Sequence, residues 1–131
     1  MSKIIDKIDL VASTLFFDSE GILWVIHKDG VEMGIIEAAE HAEACCKLCR
    51  GNQTRMVIDA RAKTVFVTDE ARNYLAHHED IIKVRKAHAI IVDSIPNRLL
   101  ANFYFRFNKP IGPGKVFNSE KAAISWLRKY E

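Results

Sequence analysis

Arg55 to Leu75 reads RMVIDARAKTVFVTDEARNYL, and the fold turns on how that stretch is read. Met56-Val57-Ile58 is a short apolar run of the kind a buried strand carries, and it ends on a carboxylate, Asp59. A basic turn containing Arg61 follows, then a second apolar pinch, Val65-Phe66-Val67. Thr68 stands where a helix N-cap belongs, ahead of Asp69, Glu70 and Arg72. Open α/β sheets place their chemistry or binding where a buried strand hands over to a helix N-terminus. The stretch therefore predicts an α/β domain and marks Asp59 to Arg72 as the first place to look for function.

Upstream, residues 1–7 are a polar start. Ile8 to Phe17 is rich in residues that suit one strand, Asp18-Ser19-Glu20-Gly21 is a turn, and Ile22 to Ile26 is a second strand. Together they predict an antiparallel hairpin. Residues 34–50 predict a helix with an apolar stripe at Ile35, Ala39, Ala42, Cys46 and Cys49, ended by Gly51-Asn52.

Downstream, the helix begun at Asp69 runs to about Asp80, burying Ala71, Tyr74 or Leu75, His78 and Ile81. Ala87 to Asp93 (AHAIIVD) is continuously apolar at its centre, as a strand covered on both faces is, and reads as a central strand. Ser94-Ile95-Pro96 opens the next helix, with Leu99, Leu100, Phe103 and Phe107 in a helical stripe. Phe103, Phe105 and Phe107 also alternate as a strand would, but the helical lead-in from Asn97 favours helix. Val116-Phe117 is a short edge strand. Asn118 or Ser119 caps a last helix with Ala122, Ala123, Trp126, Leu127 and Tyr130 inward. The order predicts a mixed sheet of four to five strands with an N-terminal hairpin, later strands parallel, and about four helices, in a single domain over residues 1–131.

Composition narrows the function classes. A chain of 131 residues suits one domain and needs no metal or disulfide staple. A net charge of +2 is too small for a protein that relies on phosphate neutralisation, so nucleic acid is not an expected partner. No apolar run approaches the ~20 residues that span a bilayer. Asp6 and Asp9 interrupt any signal-peptide core, so a cytoplasmic protein is expected. Three crowded cysteines, Cys45, Cys46 and Cys49, fit a reducing compartment.

The hairpin, the strand ending in Asp59, the Thr68-Asp69 helix start, the AIIVD strand and the closing VFNSEKAAISWL segment together resemble the STAS-like family. These are small domains related to sulfate-transporter C-terminal domains and anti-sigma-factor antagonists. The likeness spans about Leu10 to Tyr130 and is nearest to the single-domain bacterial branch. The resemblance implies a STAS-like fold without catalysis. In antagonist members, a strand ending in Asp leads to an Asp-Ser pair at a helix start, and the hydroxyl is phosphorylated by a partner kinase. Here Asp59 matches the strand-end Asp, Thr68-Asp69 falls at the pair, and Asp69 stands at the acceptor position. Glu70-Ala71 replaces the small residue and glycine that usually follow.

Each candidate has a plainer structural explanation. Thr68-Asp69 suits an ordinary cap, contributing ~1–2 kcal/mol to the helix. Asp59 and Arg61 suit a loop ion pair of roughly 0–1 kcal/mol. His41, Cys45 and Cys49 lie one turn apart, but a structural zinc site normally takes four ligands from two segments, so no metal or other cofactor is expected. His77-His78 reads as one exposed and one buried helix residue. Lys83, Arg85, Lys86 and His88 read as a basic strand entry rather than a nucleic-acid surface. No nucleophile elbow or phosphate loop occurs, and no enzyme is expected.

The function expected is therefore a regulatory module that binds a protein, such as an anti-sigma factor or kinase, or a second copy of itself. Its surface would be Asp59, Arg61, Thr68, Asp69 and Arg72, joined by Asp93 and Ser94 at the neighbouring strand end. The alternative is a domain that holds a small apolar ligand, a lipid or an acid, among its aromatic residues.

Overall fold

The computed structural model describes residues 5–62, 64 and 66–131. In chain order the strands and helices are β1 (Ile5–Asp9), β2 (Ser13–Phe17), β3 (Leu23–His27), β4 (Glu32–Met33), α1 (Ile35–Cys49), β5 (Thr54–Asp59) and β6 (Phe66–Val67). There follow α2 (Asp69–His77), α3 (Glu79–Val84), β7 (Arg85–Ile91), α4 (Ile95–Phe103), β8 (Gly114–Phe117) and α5 (Glu120–Leu127). A π-helical turn, Tyr104–Asn108, extends α4, and a 3-10 turn, Arg128–Tyr130, extends α5.

The main sheet has six strands in the order β1-β2-β3-β5-β7-β8. The first three form an antiparallel meander, and β3, β5, β7 and β8 run parallel. A separate pair, β4 and β6, is parallel and two residues long in each strand. The mixed α/β architecture is the one the sequence predicts, with more strands than four to five.

Helices cover both faces. Alternation sends Val25, Met56, Ile58 and Ile90 toward the layer of α1 to α4, and Trp24, Val57, Ala87, Ala89 and Ile91 toward α5. Ala123 and Leu127 of α5 seal that second face. β7 is buried at six of its seven positions, which explains its continuous apolar run, although it lies next to the edge strand β8 rather than at mid-sheet.

The local expectations differ from the structure in five places. Ile8 to Phe17 is not one strand: Leu10 N–H bonds to the Ser13 carbonyl at 2.8 Å, and the chain turns there without glycine or proline to signal it. In α1 the buried residues include Ala38, His41, Ala42, Cys45 and Cys49, whereas Ala39 is exposed and Cys46 half-buried. Small residues stand side by side at 38–39 and 45–46, so polarity alone cannot choose between the two stripes. The helix expected to reach Asp80 breaks at His78, which is extended and whose ring accepts the Ile81 N–H at 3.3 Å to start α3. Ala122 is exposed rather than inward, because Ala123 and Leu127 hold the contact with the sheet. In α4 the stripe expected from Leu99, Phe103 and Phe107 faces solvent, while Asn97 and Ala101 are buried. Val65, expected to open the apolar pinch, and residues 1–4 of the polar start lie outside the described residues.

Candidate functional site

The Thr68 corner is built on two short elements. Thr68 N–H bonds to the Met33 carbonyl at 3.0 Å, anchoring β6 to β4, and its Oγ1 accepts the Ala71 N–H at 3.1 Å. That is the cap the sequence predicts. Asp69 projects into solvent, and its Oδ1 accepts from Asn108 Nδ2 at 3.2 Å and from Arg72 Nη2 at 3.5 Å. Arg72 is largely buried, donates to the Val67 carbonyl, and lies over the Phe103 ring at 5.2 Å. The corner thus abuts the C-terminal half of α4.

Asp59 and Arg61 lie elsewhere. Asp59 has the parity of Val57 and so belongs to the α5 face. Arg61 grips it bidentately, with Nε and Nη2 each at 2.9 Å from its carboxylate, and also reaches Glu120 at 3.4 Å. These acids hold the Arg61 guanidinium more firmly charged than usual. Asp93 is exposed, and Ser94 caps α4. Ser94 Oγ accepts the Asn97 N–H at 3.2 Å, and buried Asn97 donates to the carbonyls of Ala60 and Ala62 at 2.8 and 3.1 Å. The ends of β5 and β7 are therefore side by side, but the candidate residues divide between two faces.

Between Asp93-Ser94 and the Thr68 corner runs an apolar stripe. Ile95, Leu99, Phe103 and Phe107 are 75%, 64%, 40% and 60% exposed at a spacing of four residues, and Ile111 continues the exposed apolar surface along the chain. The Phe103 and Phe107 rings touch, with centroids 4.6 Å apart. A four-residue step keeps side chains on one side of a helix, so these form one strip. Arg98, Arg106 and Lys109 are also exposed in this segment, and no Asp or Glu occurs between Ser94 and Ser119.

Under α1, α2 and α4 lies a hollow of about 110 Å³. Its walls are mostly apolar, including Val25, Met56, Ile58, Ile90 and Leu100. Three histidines also line it: His27, His41 and His88. Burial pushes all three below the ordinary histidine value, His27 to about 4 and the other two to about 3, with Arg85 reinforcing the shift at His41 and His88. They are neutral at pH 7. Arg72 and Arg85 reach the same hollow, and no lining residue is acidic. Arg85 is there because β7 carries a bulge. Thr54 pairs with Arg85 but Arg55 pairs with Ala87, so Arg85 sits opposite Thr54 instead of following Ala87 to the α5 face.

Cys45 and Cys49 are buried against this layer. Their thiols share a hydrogen bond that raises Cys45 and lowers Cys49 relative to an ordinary thiol. Among the described residues no group of three or more His, Cys, Asp or Glu is placed to hold a metal ion. Nor, among them, is any helix long and apolar enough to cross a membrane.

A crystal structure of an uncharacterised protein of the DUF3478 family with a SpoIIAA-like fold, from Shewanella loihica PV-4, superposes on this chain with a TM-score of 0.57. The two are 15% identical, and the match covers 97% of this chain and 92% of that one. The likeness defines the class: this is an α/β domain with a SpoIIAA-like fold. Residues 16–131 match the family described as "Domain of unknown function (DUF7793)", and the chain belongs to that family. A protein with unknown function from Arthrobacter sp. FB24 is 24% identical over 87% of this chain and 97% of its own, with a TM-score of 0.33 too low to support an argument. No curated protein matches.

Sequence reasoning placed the Thr68 cap and raised a ligand-holding cavity as its alternative, but missed the residues that line the hollow. Arg85, His27, His41 and Tyr104 carry no spacing signal, since they converge from four separate elements. The one usable clue is a basic residue, Arg85, at the threshold of a strand that is otherwise buried.

Proposed function

We propose that this domain is a non-enzymatic protein-interaction module, working in the manner of anti-sigma-factor antagonists, to which its sequence has a STAS-like resemblance. The observation that carries this reading is the exposed stripe Ile95-Leu99-Phe103-Phe107, continuous with the Thr68-Asp69-Arg72 corner through Arg72 and Asn108. Exposed apolar strips with charged borders mark association surfaces. Within the segment the flanking charges are Arg98, Arg106 and Lys109, so the partner is an amphipathic protein segment carrying acidic residues along its middle. An anti-sigma factor or a kinase is the kind of partner that the STAS-like resemblance suggests. Thr68 is the hydroxyl available for modification. A phosphate there would add up to ~2 negative charges beside Asp69 and would displace the cap to Ala71.

Capture from a lysate of the native host tests this. A Leu99→Ser/Phe103→Ser chain and an Asp69→Ala chain are compared with the unaltered one, with Lys121→Ala on α5 as control. Proteins captured by the unaltered chain and the control, but lost by the stripe variant, support the reading. Equal capture by all four chains discards the surface. A second copy of the chain recovered through the stripe would make the partner the protein itself. The second reading, a domain that holds a small ligand, is favoured by the hollow and its unpaired polar atoms.

A further inference from the structure

The hollow contains a cation without a counter-charge. Arg85 is 8% exposed, and among the described residues no carboxylate lies within ion-pair reach of it. Its partners are three carbonyls, Leu75 and Ala76 at the end of α2, at 3.3 and 3.4 Å, and Ile111 at 3.3 Å, together with the Tyr104 hydroxyl. The carbonyl bonds are long, and they account for Arg85 as a cap on the negative end of α2. They leave other groups unexplained. Among the described residues, Nε of Arg85, Nε of Arg72 and Nδ1 of His41 have no partner. Among them too, neither ring nitrogen of His88 completes a hydrogen bond, although the Pro113 carbonyl lies close enough to favour its charged form.

Buried polar groups are nearly always satisfied, and each one that is not costs roughly 1–3 kcal/mol. Here several unsatisfied donors collect around one space, and the space is lined by two guanidiniums and no acid. A guanidinium fork matches a carboxylate or a phosphate bidentately, and the small, mostly apolar space favours the less charged carboxylate. The remaining walls, Met56, Ile58, Ile90 and Leu100 among them, suit hydrocarbon. A hollow of about 110 Å³ limits the occupant; an apolar cavity of roughly 150 Å³ accepts one benzene ring.

We propose that this hollow binds a small organic anion, a monocarboxylate with a compact apolar body, its head on Arg85 and Arg72 and its body against Met56, Ile58 and Leu100. The proposal rests on the ligand-holding reading above and specifies the charge and size of the ligand. Arg85 recognises the anion, and His41 and His88 stand by as neutral donors. Because the site lies beneath α4, an occupant would also stiffen the platform under the exposed stripe.

The test titrates the full chain by calorimetry with propionate, isobutyrate and isovalerate, each paired with the alcohol of the same skeleton. At least one acid is expected to bind saturably and to raise the melting temperature, with its alcohol about tenfold weaker or more. Arg85→Met is expected to abolish the preference for the acid. Since Arg85 also caps α2, an Ala101→Leu chain, which fills the hollow and keeps both arginines, provides the second variant. It is expected to unfold cooperatively and to bind none of the acids. Alcohols that bind as tightly as their acids would overturn the anion assignment while leaving a ligand site. Absence of saturable binding by every acid and alcohol would overturn both.

Discussion

Asp18 shows how one side chain sets a turn. It is buried, and its carboxylate accepts the N–H groups of Glu20 and Ile22 at 2.8 and 3.0 Å and the Trp24 indole N–H at 2.9 Å. Three charge-assisted bonds fix the β2–β3 turn and the pose of Trp24, which stacks on Phe16 at 6.1 Å. Asp18→Ala is expected to destabilise the domain by about 2–3 kcal/mol, read as a lowered urea midpoint with an unchanged slope. Thr68→Ala removes the cap of α2 and is expected to cost about 1 kcal/mol, with Thr68→Ser recovering most of it. A Thr68→Ala chain as stable as the parent would show that the cap contributes nothing. The cap at Thr68 and the helix start at Ser94 were legible beforehand because a hydroxyl before an apolar period has one common use, whereas the last cap lay between Asn118 and Ser119 until the structure put it on Ser119. Asp18 was legible only as part of a turn, since nothing in the local spacing announces a bond to Trp24.

The helix α4 and its π-helical extension set the limit of pattern reading at the scale of the element. Periodicity found the helix but not the side it buries, because both faces of Ile95 to Phe107 are rich in apolar residues. Packing decided: Ala101 and Asn97 face the sheet, and the larger side chains are left outside. The polar residue that α4 itself buries, Asn97, is satisfied by the Ala60 and Ala62 carbonyls. Leu99→Ser is therefore expected to change stability by no more than about 0.5 kcal/mol, whereas Leu127→Ala, from a fully buried position, is expected to cost about 2–5 kcal/mol. The contrast in unfolding midpoints separates an outward stripe from a core one; comparable losses at both positions would contradict the assignment. Gly114 marks the other end of this element's environment. A Cβ there would lie 2.2 Å from Cε1 of Phe105, whose ring packs on His88 at 5.3 Å. Gly114→Ala is expected to destabilise by about 1–3 kcal/mol through displacement of Phe105.

At the scale of the whole molecule, one face of the sheet is an apolar layer under α5 with the Asp59-Arg61-Glu120 ion pairs at its end, and the other is a layer with a mostly apolar hollow that holds buried histidines and arginines. The second layer makes the fold sensitive to pH. His41 and His88 ionise at about 3 in the fold against an ordinary 6.5, so between those values the unfolded chain binds more protons. Stability is full above pH 6.5 and falls as the pH drops through that window, by up to about 1.4 kcal/mol per pH unit for each ring. Urea midpoints at pH 7.5 and 5 check this, and equal midpoints would contradict it. The mixed sheet with its N-terminal hairpin and later parallel strands followed from the order of apolar runs, turns and helical periods, and so the architecture was readable. The hollow was not, because a bulge in β7 and the loose convergence of four elements created it. Under the proposed function, the outward side of α4 meets a protein. A photo-crosslinking residue placed at Leu99, with a second chain carrying it at Lys121, tests that in the native host. The expected result is a discrete cross-linked protein at position 99 that is absent at 121. No adduct at 99, or the same adducts at both, would contradict it.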